Sequence, residues 1–289
     1  MTDKYNNTMI LACIDGSEHT ESVCKYASWI ASALGSPLKL LHTIEHPKSA
    51  AVSDLTGAIG LGASEDLLNE LTKVEQERSR LLIEKGNAML QSAKLKAVEM
   101  GVTEIQTRQR HGTLAETLVE LEEQIRVLVV GIHGENHEQD QAGISAQLET
   151  TIRALHKPIL VVNTEFSEPR NIMVAYDGSE ACHRALELIA EGPLFKSITC
   201  HLVHVSDSAQ DAERLLTPAA NTLQQAGIAV ETKHLTGQIE TALANYQAEQ
   251  NIDLTLMGAF SHNRFRDFLL GSFTAKMLCE TQKPLFLLR

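Results

Sequence analysis

Met9-Ile-Leu-Ala-Cys-Ile-Asp-Gly-Ser-Glu18 is written a second time, in type and order, as Asn171-Ile-Met-Val-Ala-Tyr-Asp-Gly-Ser-Glu180, 162 residues further on. Each copy is an apolar run that stops at Asp-Gly-Ser. An apolar run of strand length bounded by turn residues reads as a strand buried on both faces. The residues that follow change period. Val23, Ala27, Ile30, Ala31 and Leu34 in the first copy, and Ala185, Leu186, Ile189 and Ala190 in the second, are spaced for one face of a helix. Ser17 and Ser179 suit the N-caps of those helices. Asp15 and Asp177 read as turn residues or, at the same strand ends, as ligand-binding residues.

The duplication extends outward from this pair. Leu40-Leu-His-Thr-Ile44 and Leu202-Val-His-Val205 keep the same offset. Arg110-His-Gly-Thr-Leu114 matches Leu235-Thr-Gly-Gln-Ile239, and Val127-Leu-Val-Val-Gly131 matches Leu254-Thr-Leu-Met-Gly258. His156-Lys-Pro-Ile-Leu-Val-Val162 matches Gln282-Lys-Pro-Leu-Phe-Leu-Leu288. Landmarks recurring in one order establish an internal repeat. Each copy then reads β-α-β-α-β-α-β-α-β, which predicts α/β architecture: two doubly wound, parallel five-stranded sheets in tandem. The expected domains are 1–165 and 166–289, divided in the polar stretch Asn163–Glu168. The terminal strands, Ile159–Val162 and Leu285–Leu288, read as short apolar sheet edges, which invite pairing.

The copies differ in length. The offset falls from 162 at His42 to 125 at Gly112, so the first carries about 37 extra residues, roughly 45–82. The extra stretch opens with small residues and Gly57, Gly60 and Gly62. A helical pattern follows from about Glu65 to Met100, with Leu67, Leu68, Leu71, Val74, Leu81 and Leu82 on one face. Two expectations stand: a connection whose helix covers the sheet, or a lid or partner-docking element.

Composition limits the function. A formal charge of −12 argues against general nucleic-acid binding, which needs a basic face, but not against a nucleotide. Five scattered cysteines without a C-x-x-C pair fit reduced thiols, with Cys13 and Cys200 expected in the core. The polar N-terminus carries no secretory pattern, and no apolar run nears the roughly 20 residues of a membrane span. A cytoplasmic location is expected.

The chemistry concentrates late in the second copy. Ile252–Met257 reads as a strand, ending at Gly258. A loop with Arg264 and Arg266 follows, and Gly271-Ser272 opens a helical segment. Glycine permits close approach to a phosphate, and the first amides of a helix are free donors at the positive end of its dipole.

Here the chain resembles a tandem universal stress protein, and the resemblance covers essentially its whole length. The family's nucleotide motif is glycine, two residues, glycine, nine residues, then glycine and serine or threonine. The second copy keeps that spacing as Gly258-Ala-Phe-Ser261 and Gly271-Ser272-Phe-Thr274, with Ser261 in place of the second glycine. The resemblance implies that Gly258, Ser261, Gly271, Ser272 and Thr274, with Phe273 between them and Arg264 nearby, face the phosphates and ribose of ATP or a related adenine nucleotide. Val205 would meet the adenine through its backbone, and Asp177 would sit near the nucleotide and help hold Mg. The first copy departs further. Gly131-Ile-His-Gly134 keeps the opening glycines, but Ser145-Ala146 replaces Gly271-Ser272, and the loop Glu135–Asp140 carries three carboxylates and no arginine. Asp15, Thr43, Gly131, Gly134 and Ser145 are a possible second site, poorly suited to an anion.

Other features have plainer readings. His42 and His204, inside apolar strands, are expected as buried, hydrogen-bonded histidines. His133, His137, Glu135, Glu138 and Asp140 match no standard metal spacing and read as a solvated loop. No G-x-x-x-x-G-K-[ST] lysine is present, which disfavours efficient ATP hydrolysis. The leading expectation is a nucleotide-dependent switch that acts through a protein partner by ordering the Ser261–Leu270 loop. The alternatives are a slow ATP hydrolase and a non-nucleotide scaffold with an apolar ligand in the first copy. The resemblance also implies that the two copies pair as an intramolecular pseudo-dimer, and a further homodimer is compatible with it.

Overall fold

The structure is a computed structural model that describes residues 8–45, 61–134, 144–258 and 272–288, and for 61–68 and 272 the backbone alone. The first half runs β1 (Met9–Cys13), α1 (Thr20–Leu34), β2 (Leu38–Ile44), α2 (Leu61–Glu99), β3 (Ile105–His111), α3 (Leu114–Leu121), β4 (Ile125–Gly131), α4 (Ala146–Ala154) and β5 (Ile159–Val162). The second runs β6 (Asn171–Ala175), α5 (Glu180–Glu191), β7 (Thr199–Val205), α6 (Ala209–Gln225), β8 (Ala229–Leu235), α7 (Ile239–Glu249), β9 (Leu254–Gly258), α8 (Ser272–Glu280) and β10 (Leu285–Leu288). The β-α alternation read from the repeat is present in both halves.

The ten strands form one sheet, in the order β3-β2-β1-β4-β5-β10-β9-β6-β7-β8. Within each half all neighbours are parallel, and the order is that of a doubly wound fold. The halves meet where β5 and β10 pair antiparallel, with Phe286 opposite Leu160. The two apolar edges foreseen in the sequence therefore close on each other. The outer edges, β3 and β8, are polar and largely exposed, as unpaired strands must be to stay unpaired.

One apolar layer, beneath α1, α2, α5 and α6, is continuous across both halves, and so is the opposite one beneath α3, α4, α7 and α8. Polar links reinforce the junction. Asn163 Nδ2 donates to the Thr281 carbonyl at 2.8 Å. The Tyr26 ring meets Phe166 edge-on at 4.8 Å between centroids.

The insertion behaves differently from its simpler expectation. With 39 residues α2 is roughly 58 Å long, whereas the seven-residue strands it crosses span roughly 23 Å. Only its last third lies on the sheet, through Leu90, Ala93 and Ala97. At Gly86 the helix lies close on the sheet, where a Cβ would fall 2.2 Å from Gln109 Nε2 and 2.5 Å from His42 Cδ2. N-terminal to that point the helix covers no strand among the described residues, and Leu71, Val74 and Leu81 are exposed. Leu82 is half-buried. The stretch 46–60, with Gly57 and Gly60, lies outside the described residues.

Candidate functional site

Both Asp-Gly-Ser turns sit at the C-terminal ends of central strands, where doubly wound sheets leave a crevice. Gly16 and Gly178 adopt φ of 85° and 75°, a left-handed conformation that glycine alone takes without strain. Just beyond, Ser179 caps α5 by accepting from the Cys182 amide at 3.2 Å. The matching expectation for Ser17 is corrected: α1 begins with His19 as its N-cap residue and has no side-chain cap. The reason is Asp15, whose Oδ1 accepts from the Ser17 amide (3.0 Å), the Ser17 hydroxyl (2.7 Å) and the Thr20 hydroxyl (2.9 Å). The Ser17 hydroxyl donates its hydrogen bond to this carboxylate and makes no cap to the helix.

His42 and His204 are hydrogen-bonded as expected. Nδ1 of His42 donates to the Ile14 carbonyl at 2.6 Å, and Nδ1 of His204 to the Tyr176 carbonyl at 2.7 Å. A carbonyl can only accept, so Nδ1 carries the proton in both. Each imidazole ties the second strand of its half to the end of the first.

In the second half these strand ends enclose a cavity of about 260 Å³. Ala175, Val203, Val205, Leu243, Met257 and Phe273 give it apolar walls, while Asp177, Gly258 and Thr274 stand among its lining residues. Asp177 is exposed, and its Oδ1 accepts from the Ser179 amide at 2.8 Å. Cys182 also lines the space and donates Sγ–H to the Ala175 carbonyl at 3.3 Å; burial pushes its thiol up to about 11, so it carries no thiolate at neutral pH. Burial likewise raises the Tyr176 phenol above its ordinary range.

The first half has a counterpart at the same place, lined by Asp15, Thr43, Gly131, Gly134 and Ser145 among others, but its volume is about 30 Å³. That is the share of one water in the liquid. Three paired positions are smaller in the second copy, though Ile14, Val130 and Gln147 are matched there by the larger Tyr176, Met257 and Phe273. Cys13, Leu41 and Leu148 line the small cavity where Ala175, Val203 and Thr274 line the large one. The mouth is occupied as well. Gln147 Nε2 donates to Glu45 Oε1 at 2.9 Å, and Ser145 is committed to capping α4 through the Leu148 amide. Asp15, held by three donors, and the carboxylate of Glu45 leave this mouth acidic.

Of the residues expected in the second-half site, Asp177, Val205, Gly258, Phe273 and Thr274 are brought together around the large cavity. Ser261, Arg264 and Gly271 lie outside the described residues, as does the side chain of Ser272. Glu135, His137, Glu138 and Asp140 also lie outside them, and among the described residues no group of three potential ligands could hold a metal ion. Asp177 is the one carboxylate among the described residues that line the large cavity. Val203, Ala175, Leu243, Met257 and Ile239 were not anticipated. Their signal was available as smaller side chains at Ala175 and Val203 than at the paired positions in the first copy.

Comparison with known proteins identifies the family. The model of the universal stress protein family matches the chain twice, at residues 7–163 and 168–289. Universal stress protein Slr1230 of Synechocystis is 34% identical over 284 residues, covering 97% of this chain and 99% of that protein. A universal stress protein of Archaeoglobus fulgidus superposes with a TM-score of 0.69 at 18% identity, covering 99% of each chain. A functionally unknown protein of Pseudomonas aeruginosa PAO1 superposes at 0.61 with 16% identity, covering 98% of this chain and 93% of the other. At those identities the superpositions speak to the fold.

Proposed function

The chain belongs to the universal stress protein family, and from that premise we propose that its second half binds ATP or a related adenine nucleotide and that the bound state is read by a protein partner. The observation that carries this reading is the asymmetry of the two cavities, about 260 Å³ against about 30 Å³. The apolar walls between β6, β7 and β9 would receive the base. The segment after Gly258 and the start of α8 would face the phosphates, where helix amides favour anions. Mg, when bound, would shield phosphate charge, and Asp177 is the side chain placed to hold it. The first half is a structural copy whose site is filled by its own side chains. Switching requires that the nucleotide bind two conformations with different affinity, since a ligand shifts an equilibrium only by that difference.

Calorimetric titration with Mg-ATP tests the reading. One site per chain is expected. Val205→Trp, which puts an indole into the large cavity, should abolish it, and Thr43→Trp at the paired position should leave it intact. Two sites, or binding indifferent to Val205→Trp, would reject the assignment to the second half. No heat and no thermal shift at millimolar nucleotide would reject the nucleotide itself.

A further inference from the structure

The part of α2 that overshoots the sheet is the largest feature unused by the nucleotide reading. Leu71, Val74 and Leu81 are 45%, 66% and 56% exposed. At 100° per residue they fall, with Arg78 and Lys85, in one stripe roughly 80° wide. An apolar stripe on a projecting helix has a cost in water unless something covers it.

The charges along this arm indicate what does. Residues 69–85 hold four glutamates (Glu70, Glu75, Glu77, Glu84) and four basic residues (Lys73, Arg78, Arg80, Lys85), a balanced set in a chain of net charge −12, while the preceding turns add Glu65 and Asp66. Reversed about Glu77 and Arg78, the segment sets Glu70 against Lys85, Glu75 against Arg80 and Glu77 against Arg78, with Leu71 against Glu84; within one chain Arg78 pairs with Glu75 at 3.9 Å and Arg80 with Glu84 at 2.9 Å. Two such helices crossing antiparallel, with the dyad between Glu77 and Arg78, place Val74 opposite the partner's Leu81. Arg78 then meets the partner's Glu77, and Lys85 meets the partner's Glu70. Each contact occurs twice by symmetry, as an isologous interface requires. A parallel, in-register pairing would instead stack Arg78 on the partner's Arg78 and Lys85 on the partner's Lys85, which is repulsive. We infer that the projecting half of α2 is a homodimerisation arm, packing antiparallel on the same arm of a second copy. The interface is separate from the β5–β10 junction, which is already satisfied within one chain.

Sedimentation velocity on the full chain over a concentration series tests this. The expected species is a dimer of the 31.7 kDa chain. Leu81→Glu should make it monomeric. Glu77→Arg and Arg78→Glu should each raise the dissociation constant by about tenfold or more, from attraction turned to repulsion. The double variant Glu77→Arg/Arg78→Glu should restore dimerisation, because the swapped charges again face each other. The altered side chains are exposed, so helix content by circular dichroism should match wild type in every variant. A wild-type chain that is monomeric throughout, a dimer indifferent to Leu81→Glu, or a double variant no tighter than the singles would each overturn the inference. Monomeric behaviour would assign the stripe to another segment of this chain or to a different protein.

Discussion

Truncation of Phe286 to alanine tests whether the two halves are one folding unit. Phe286 is fully buried in β10, opposite Leu160 of β5 on one side and paired with Leu256 of β9 on the other. It belongs to the apolar layer that also contains α1 of the first half. Removing a buried phenyl ring costs about 3–5 kcal/mol, through lost transfer energy and the cavity left behind. A typical total stability is only about 5–15 kcal/mol, so the loss is large. At about 2 °C per kcal/mol for a unit of this size, the thermal midpoint should fall by roughly 6–10 °C. The chain supplies its own reporter, because its single tryptophan, Trp29, packs on that layer from α1, in the other half. Thermal unfolding followed by Trp29 fluorescence and by far-ultraviolet circular dichroism should give one coincident transition, shifted equally for both probes. A Trp29 transition that stays at the wild-type temperature while the dichroism splits in two would refute the reasoning. It would mean that the antiparallel pair joins two independently stable domains.

Three further outcomes follow from local structure. Gly178→Ala should destabilise by about 1–2 kcal/mol by denaturant titration, because φ is 75° and the new Cβ would lie 2.9 Å from Leu215 Cδ2. Titration of native protein with an aromatic disulfide at pH 8 should release one rapid equivalent of thiol, from exposed Cys279, since burial raises the thiols of Cys13, Cys24, Cys182 and Cys200. Glu21 accepts from Lys25 (2.8 Å) and Lys96 (2.7 Å), which lowers its carboxyl to about 2 and ties α1 to α2. A lowered folded value gives stability that is present above the ordinary carboxylate range and lost as pH falls through about 2, so the thermal midpoints of wild type and Glu21→Gln should converge between pH 5 and pH 2.

Much of the fold was legible because the evidence for it was periodic and present twice. Apolar runs ending in Asp-Gly-Ser fixed β1 and β6, and the repeated Lys-Pro landmarks placed β5 and β10 at the two edges that join. The extent of α2 was legible too, but its environment was not. Leu71, Val74 and Leu81 have core spacing, and spacing does not say whether a sheet lies beneath; that depends on helix length against strand length. Ser17 was misread for a similar reason. A serine before a helix is a good N-cap only if nothing competes for its hydroxyl, and Asp15, two residues earlier, competes successfully. The glycines and Asp177 of the candidate site stood out because turn chemistry marks them. Its apolar walls did not, since Val203 and Met257 look like any buried strand residues when read alone.

The comparison that does reveal those walls is internal. At three paired positions the second copy carries the smaller or more polar residue, Ala175 for Cys13, Val203 for Leu41 and Thr274 for Leu148. Each change alone is of a kind cores absorb by small shifts. All three fall at one strand-end crevice, but Tyr176, Met257 and Phe273 there are larger than their counterparts Ile14, Val130 and Gln147, so side-chain volume alone does not set the difference. In the first half Gln147 and Glu45 complete a closed, acidic mouth. Enlarging Ala175 and Val203 to cysteine and leucine should narrow the second cavity where the base would sit, so nucleotide affinity should fall while the thermal midpoint stays close to that of wild type.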